Sequence, residues 1–293
     1  MTEKKSNLSF SQRHPLLFGT TLIIMAVALV IGAMAIFGFQ TKSQLRGEKI
    51  GVVEITGMIT SSEKTLDWIS TLRKDDGIHG VLLRVNSPGG TIAPSQEIYD
   101  AVEELATIKP VVASYGTVAA SGGYYVSAPA TYIVANPGSL TASIGVKMEY
   151  LNFKDFINRY GVFQEQFTSG ANKGAGSPFA ELTPVQREQL ESIIADMHDQ
   201  FLRDVAKARQ IPVDVLRPVA DGRALTGRQA LEVNLVDELG SIELAKKRLV
   251  ALCQVPEEDV VYIHQPEEDK PILQRILGAL GVPAVWSNLM YMY

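Results

Sequence analysis

From Lys49 onward, short apolar runs alternate with amphipathic stripes, and this alternation limits the chain to few architectures. Residues 50–55 (IGVVEI), 81–85 (VLLRV), 111–114 (VVAS) and 132–135 (YIVA) read as buried strands. Two of these runs are closed by turn clusters, Asn86-Ser87-Pro88-Gly89-Gly90 and Asn136-Pro137-Gly138. Between the strands, Leu66, Ile69 and Leu72 recur at helical spacing, as do Ile98, Val102 and Leu105, and Pro94 fits the first turn of that second helix. Strands alternating with helices predict mostly parallel pairing through βαβ crossovers, hence an α/β fold.

The pattern continues to about residue 265. Residues 139–146 (SLTASIGV) are small and β-prone, and residues 162–167 (VFQEQF) read as a strand before a loop at 168–174. Thr183-Pro184-Val185-Gln186 has capping-box form, with Thr183 as N-cap and Pro184 at the first helical position. The long helix it opens carries Leu190, Ile194, Met197, Phe201, Val205 and Ala208 on one stripe, suited to a core or a subunit contact. His198 lies off that stripe and reads as a solvated or core-edge residue. Further helices are predicted near 213–216, 229–233 and 242–252, and a last strand at 260–263. The tail has an amphipathic piece at 272–280 and an apolar end at 285–293.

Ahead of this region, residues 16–39 contain no charged side chain. A run of that length spans a bilayer, which needs roughly 20 apolar residues. Ala33-Met34-Ala35 resembles a signal-peptidase site, but the apolar run continues past it, so an uncleaved anchor is expected. Lys4, Lys5 and Arg13 precede the span while Lys42, Arg46 and Lys49 follow it, so the positive-inside rule barely decides orientation. The formal net charge of −5 argues against a nucleic-acid binder. Cys253 is the only cysteine, which excludes an internal disulfide and a cysteine metal cluster, and the four histidines show no metal-ligand spacing. No cofactor is expected.

Residues 111–125 (VVASYGTVAASGGYY) combine a buried strand with a segment nearly free of side chains. Ser121 lies among Gly116, Ala119, Ala120, Gly122 and Gly123, so its hydroxyl and the adjacent N–H groups can be approached closely. Taken alone, the stretch fits equally an exposed nucleophile or a helix packed tightly on a sheet.

Three ordered motifs decide between these. Asn86-Ser87-Pro88-Gly89-Gly90, Ala119-Ala120-Ser121-Gly122-Gly123-Tyr124-Tyr125 and Thr141-Ala142-Ser143-Ile144-Gly145-Val146 resemble the bacterial signal peptide peptidase A family. The likeness runs on through Ser169-Gly170-Ala171-Asn172-Lys173, through Ala175-Gly176-Ser177-Pro178-Phe179 and through residues 222–240, covering about 50–252 in order. Family members commonly have glycine where this chain has Asn234, the next best residue for a left-handed helix cap.

The resemblance implies a membrane-anchored serine peptidase on the ClpP/crotonase-like fold of repeated ββα units, preceded by one transmembrane helix. It places the nucleophile at Ser121 and the general base at Lys173, with Ser143 hydrogen-bonding and orienting the lysine. A serine hydroxyl needs such a base. A lysine can serve if it is neutral, which burial or neighbouring positive charge favours over its ordinary pKa near 10.4. A ClpP-type histidine is not found at the matching distance, since Ser143 and Val146 occupy that region. Gly122 N–H would stabilise the oxyanion, with Gly90 or Gly89 as the second donor. Lys173 Nζ is expected near hydrogen-bonding range of Ser121 Oγ.

The division implied is a cytoplasmic tail (1–15), a membrane anchor (16–39), a linker (40–49), an extracytoplasmic peptidase domain (50–265) and a C-terminal tail (266–293). Peptide substrates, remnant signal peptides above all, and a homo-oligomeric ring or dome in the bacterial cell membrane complete the expectation. Two other readings share the features in part: an acyl-CoA enzyme of the same fold needing no serine nucleophile, and a non-catalytic membrane scaffold.

Overall fold

The computed structural model describes residues 14–43 and 47–266. The uncharged run forms a single helix, α1 (Pro15–Ser43). Its Pro15–Ala33 portion is long and apolar enough to cross a membrane and is not buried against the rest of the chain. At 1.5 Å per residue, those 19 residues extend about 28 Å, close to a hydrocarbon core.

The alternation read in the sequence becomes β1 (Glu48–Ile59), α2 (Glu63–Lys74), β2 (Ile78–Gly90), α3 (Ile92–Ile108) and β3 (Val111–Ala120). There follow a one-turn helix α4 (Gly122–Tyr125), β4 (Tyr132–Ala135), β5 (Leu140–Ala142), α5 (Lys154–Arg159) and the long α6 (Pro184–Arg209). The chain ends with α7 (Val213–Leu216), β6 (Ala224–Thr226), α8 (Gly227–Glu232), β7 (Glu238–Leu239), α9 (Ile242–Cys253) and β8 (Val260–His264). One sheet takes the order β6-β5-β3-β2-β1-β8, with β4 beside β3 and β7 beside β4. All pairs are parallel except β5 with β6.

Because strand side chains alternate between faces, single strands feed two cores. Val52, Leu82, Val112 and Val134 pack with Ala245, Leu249 and Val250 of α9. Their neighbours Val53, Leu83, Ala113 and Ile133 point the other way, into the larger core with Leu72 of α2, Val102 of α3 and Leu202 of α6. This two-sided burial explains the near-continuous apolar runs.

Strand β3 places the site. Its residues Val112, Ala113 and Ser114 pair with β4, while Val118, Ala119 and Ala120 pair with β5. The sheet forks along β3, and Ser121 is the residue immediately past the fork. A crevice at the carboxyl end of a parallel sheet is where α/β proteins commonly bind ligands.

Two expectations change. Residues 162–167 form no strand: the chain is irregular there, and every residue of the run is exposed. Alternation favours a strand only where a neighbouring strand and a core are present to receive it, and this run has neither. The α6 stripe is also not uniform. Phe201, Leu202, Val205 and Ala206 are buried, whereas Leu190, Ile194 and Met197 are only half-buried. The capping box forms as read, with Gln186 N–H donating to Thr183 Oγ1 at 3.2 Å and Thr183 N–H to Gln186 Oε1 at 3.1 Å. Asn234 takes the left-handed conformation at φ 59°. The predicted features of the tail at 272–280 and 285–293 lie outside the described residues.

Candidate active site around Ser121

Ser121 occupies a sharp turn between β3 and α4, with φ 52° and ψ −124°. A positive φ in a non-glycine residue costs about 1–3 kcal/mol and persists only where the surroundings enforce it. Here Ser121 N–H donates to Ala142 O at 2.7 Å, and Tyr125 N–H donates to Ser121 O at 2.9 Å. The small residues that follow are required by contact: a Cβ on Gly123 would lie 2.5 Å from Ser87 O. Backbone therefore packs on backbone, and the hydroxyl is lifted to the rim of the crevice, half-exposed.

The Ser-Pro-Gly-Gly turn at the end of β2 closes on this elbow. Gly89 has φ 101°, and a Cβ there would come within 2.6 Å of Gly122 N and 2.9 Å of Ser121 Cβ. Gly89 N–H is already donated to Ser87 Oγ at 3.1 Å. Gly90 is held against β1, where a Cβ would fall 2.0 Å from Ile59 O, and its N lies 3.2 Å from the place a Gly122 Cβ would take. Thr91 N–H donates to Ile59 O at 2.8 Å.

Ala142 and Ser143 are also left-handed, at φ 59° and 53°. Ser143 Oγ–H donates to Gly222 O at 3.3 Å, and Ser143 N–H donates to Arg223 O at 3.1 Å. Asp221, in the same turn, is gripped by the Arg223 guanidinium, whose hydrogen bonds hold its carboxyl down to about 2.

Two cavities meet at Ser121. One, of about 340 Å³, is walled by Met58, Ile92, Tyr125, Val146, Met197 and Phe201, with Gly90 and Gly122 beside the serine. It is mostly apolar, and the half-buried part of the α6 stripe supplies Met197. Tyr125 OH donates to Asp204 Oδ2 at 2.5 Å. Burial, together with that carboxylate, pushes the phenol well above its ordinary range and keeps it a donor. The other cavity, of about 530 Å³, has a polar wall of Ser143, Lys147, Glu191, His198 and Asp221.

The structure thus brings Ser121, Gly89, Gly90, Gly122 and Ser143 together. Lys173 is not among the residues lining either cavity. It is exposed, in a turn where its N–H donates to Gly170 O at 3.1 Å. That turn belongs to an arm between β5 and α6 in which no residue from 147 to 183 is buried. Lys147 and His198 are cavity residues that sequence reasoning missed. Lys147 directly follows the Ser143–Val146 motif and pairs with Glu149 at 3.0 Å. His198 sits one position after Met197, so the same turn of α6 faces both cavities. Among the described residues, no group of three or more His, Cys, Asp or Glu is placed to hold a metal.

This geometry agrees with what the chain resembles. Residues 103–256 match the model of peptidase family S49, and residues 41–137 match that of Clp protease. A putative protease of Synechocystis sp. is 36% identical over 245 residues, which are 83% of this chain and 87% of the relative. A putative protease of Methanocaldococcus jannaschii is 39% identical over 196 residues, 67% of this chain and 63% of the relative. A putative signal peptide peptidase SppA of Enterococcus faecium is 36% identical over 182 residues, 61% of this chain and 52% of the relative. With a ClpP-like sheet, a serine elbow at its fork and this breadth of likeness, the chain belongs to peptidase family S49, the family of signal peptide peptidase A.

Proposed function

We propose that this chain is a membrane-anchored serine endopeptidase that cleaves remnant signal peptides and other membrane-associated polypeptides. The observation that carries the reading is the strained Ser121 elbow, set against two glycine amides at the mouth of an apolar cavity. Signal-peptide segments are apolar, and α1 would hold the cavity near the bilayer that contains them. The E. faecium relative is itself named as a putative signal peptide peptidase.

In this reading Ser121 Oγ attacks the scissile carbonyl carbon and its proton passes to Lys173 Nζ. The carbonyl electron pair moves to oxygen, to which Gly122 N–H and Gly90 N–H donate hydrogen bonds; Gly89 N–H is committed to Ser87. Collapse of the intermediate breaks the C–N bond, and the leaving amine takes the proton from Lys173. Water, giving a proton to Lys173 Nζ, then attacks the acyl ester, and as the C–O bond breaks that proton returns to Ser121 Oγ. Ser143 donates to Gly222 O, which leaves its oxygen free to accept from the lysine.

Lys173 enters the site from a neighbouring copy. Two observations support this. Lys173 lies outside both cavities of its own chain. The arm that carries it also exposes Phe156 at 61%, Phe163 at 76% and Phe167 at 93%, apolar surface that a second copy would cover. The division follows as residues 1–15 cytoplasmic, 16–39 anchor, 40–49 linker, 50–265 extracytoplasmic peptidase domain and 266–293 tail.

The test uses the full chain in detergent. A fluorophosphonate should label Ser121, and Ser121→Ala and Lys173→Ala should each lose at least about a thousandfold in peptide cleavage. Subunits of the two inactive variants, dissociated and reassembled together, should regain about a quarter of the activity, the random-mixing value for a head-to-tail ring. Near wild-type turnover by either variant would sink the dyad, and no recovery on mixing would sink the shared site.

A further inference from the structure

We infer that His198 is a positioning residue for the nucleophile: from α6 it pins the 220–223 turn, and that turn holds the left-handed Ala142–Ser143 segment on which Ser121 hangs. This rests on Ser121 as nucleophile and goes beyond it, since His198 neither attacks nor takes a proton.

The chain of contacts is continuous. His198 Nε2 lies 2.7 Å from Ala220 O. A carbonyl can only accept, so Nε2 carries the hydrogen. Ala220 is buried, and two residues on, Gly222 N–H donates to Ile144 O at 3.0 Å. The turn then meets Ser143 twice, at its N–H and at its hydroxyl. One residue back, Ala142 O receives Ser121 N–H. Contact is close as well as polar, because a Cβ on Gly145 would lie 2.9 Å from Gly222 Cα.

The turn has two ends to fix. Its far end runs into β6, where Ala224 pairs with Ala142. At its near end, His198 of α6 holds Ala220 O, while the Ala220 N–H turns back to Arg217 O within the preceding helical turn. Three strained residues, Ser121 and the adjacent pair Ala142 and Ser143, cannot hold their geometry unaided. Releasing one end of the turn loosens what enforces it. His198 also lines the polar cavity beside Ser121, so it shapes the wall that it tethers.

Two substitutions separate this role from simple packing. His198→Leu keeps comparable bulk without a donor, and His198→Gln keeps an N–H near the Nε2 position. His198→Leu is expected to lower kcat about tenfold with KM within about twofold, and His198→Gln to restore kcat to within about twofold of wild type. A wild-type kcat in His198→Leu, or equal loss in both variants, overturns the inference. Amide hydrogen exchange reads the tether without any catalysis: Ser143 and Gly222 should exchange about tenfold faster in His198→Leu and normally in His198→Gln. Unchanged exchange in His198→Leu overturns the inference too. A wild-type chain that fluorophosphonate does not label at Ser121 would instead sink the peptidase reading and leave the exchange result standing.

Discussion

Three glycines at the site differ in what a methyl group would meet, and the difference is testable at the residue scale. A Cβ on Gly90 falls on Ile59 O, a backbone atom fixed in the β1–β2 pair, so β2 must shift. A Cβ on Gly122 meets Ser95 Oγ, a single side-chain atom, at 2.7 Å, and its nearest backbone contact, Gly90 N, is farther at 3.2 Å. Gly90→Ala should therefore lower kcat about a hundredfold or more, the usual loss for a displaced oxyanion donor. Gly122→Ala should lose less. Steady-state kinetics with an apolar peptide compare the two, and an equally mild Gly90→Ala would remove Gly90 from the proposed oxyanion hole. Gly89, at a φ of 101° that glycine adopts freely, lets the turn approach Gly122 N where a side chain would not fit.

The elements are joined by equally tight contacts, and α9 on β2 shows how. Gly80 of β2 has no room for a side chain because Cys253 Sγ would sit 2.4 Å from its Cβ. The Cys253 thiol leans on this strand and donates to His79 O at 3.4 Å. Burial pushes the thiol up to about 11. A raised acid of this kind favours the folded state fully below the ordinary thiol pKa near 8.5, and that contribution is lost as pH rises through about 11. At pH 8 only about one thiol in a thousand is ionised, so iodoacetamide should modify Cys253 at least about a hundredfold more slowly than free cysteine. Mass spectrometry over time measures this. A free-cysteine rate at pH 8 would mean that α9 is not docked on β2 in solution. Helices packed against both faces of the sheet require apolar residues on both sides of each strand, and few other patterns do.

At the scale of the whole molecule, the arm of residues 147–183 buries no residue, although Gln186 of α6 donates to its Ala171 O at 2.8 Å. Within the arm, Phe153 and Phe179 ring centroids lie 6.4 Å apart and Phe153 N–H donates to Pro178 O at 2.6 Å. Phe163 and Phe167 remain outside that packing. If a second copy covers them, Phe163→Asp with Phe167→Asp should shift the full chain in detergent to a smaller species and abolish cleavage together. The Ser121 domain should still unfold cooperatively, since no core residue is touched. Sedimentation velocity and a thermal melt measure both. An unchanged oligomer would leave the arm without this partner.

The sequence by itself determined the α/β alternation, the uncharged helix, the capping box at Thr183 and the small-residue stretch around Ser121. Each is local: periodicity, turn residues and caps depend on side chains a few positions apart. Resemblance added the remaining site residues by motif. Tertiary structure alone decided the rest. It split β3 between β4 and β5 so that Ser121 opens a crevice. It committed Gly89 N–H to Ser87, turned half of the α6 stripe into a cavity wall, and carried His198 to Ala220 O. It left residues 162–167 irregular and Lys173 outside its own chain's cavities. These outcomes depend on which distant segment arrives beside a residue, and a one-dimensional pattern records what a residue prefers without recording what it meets.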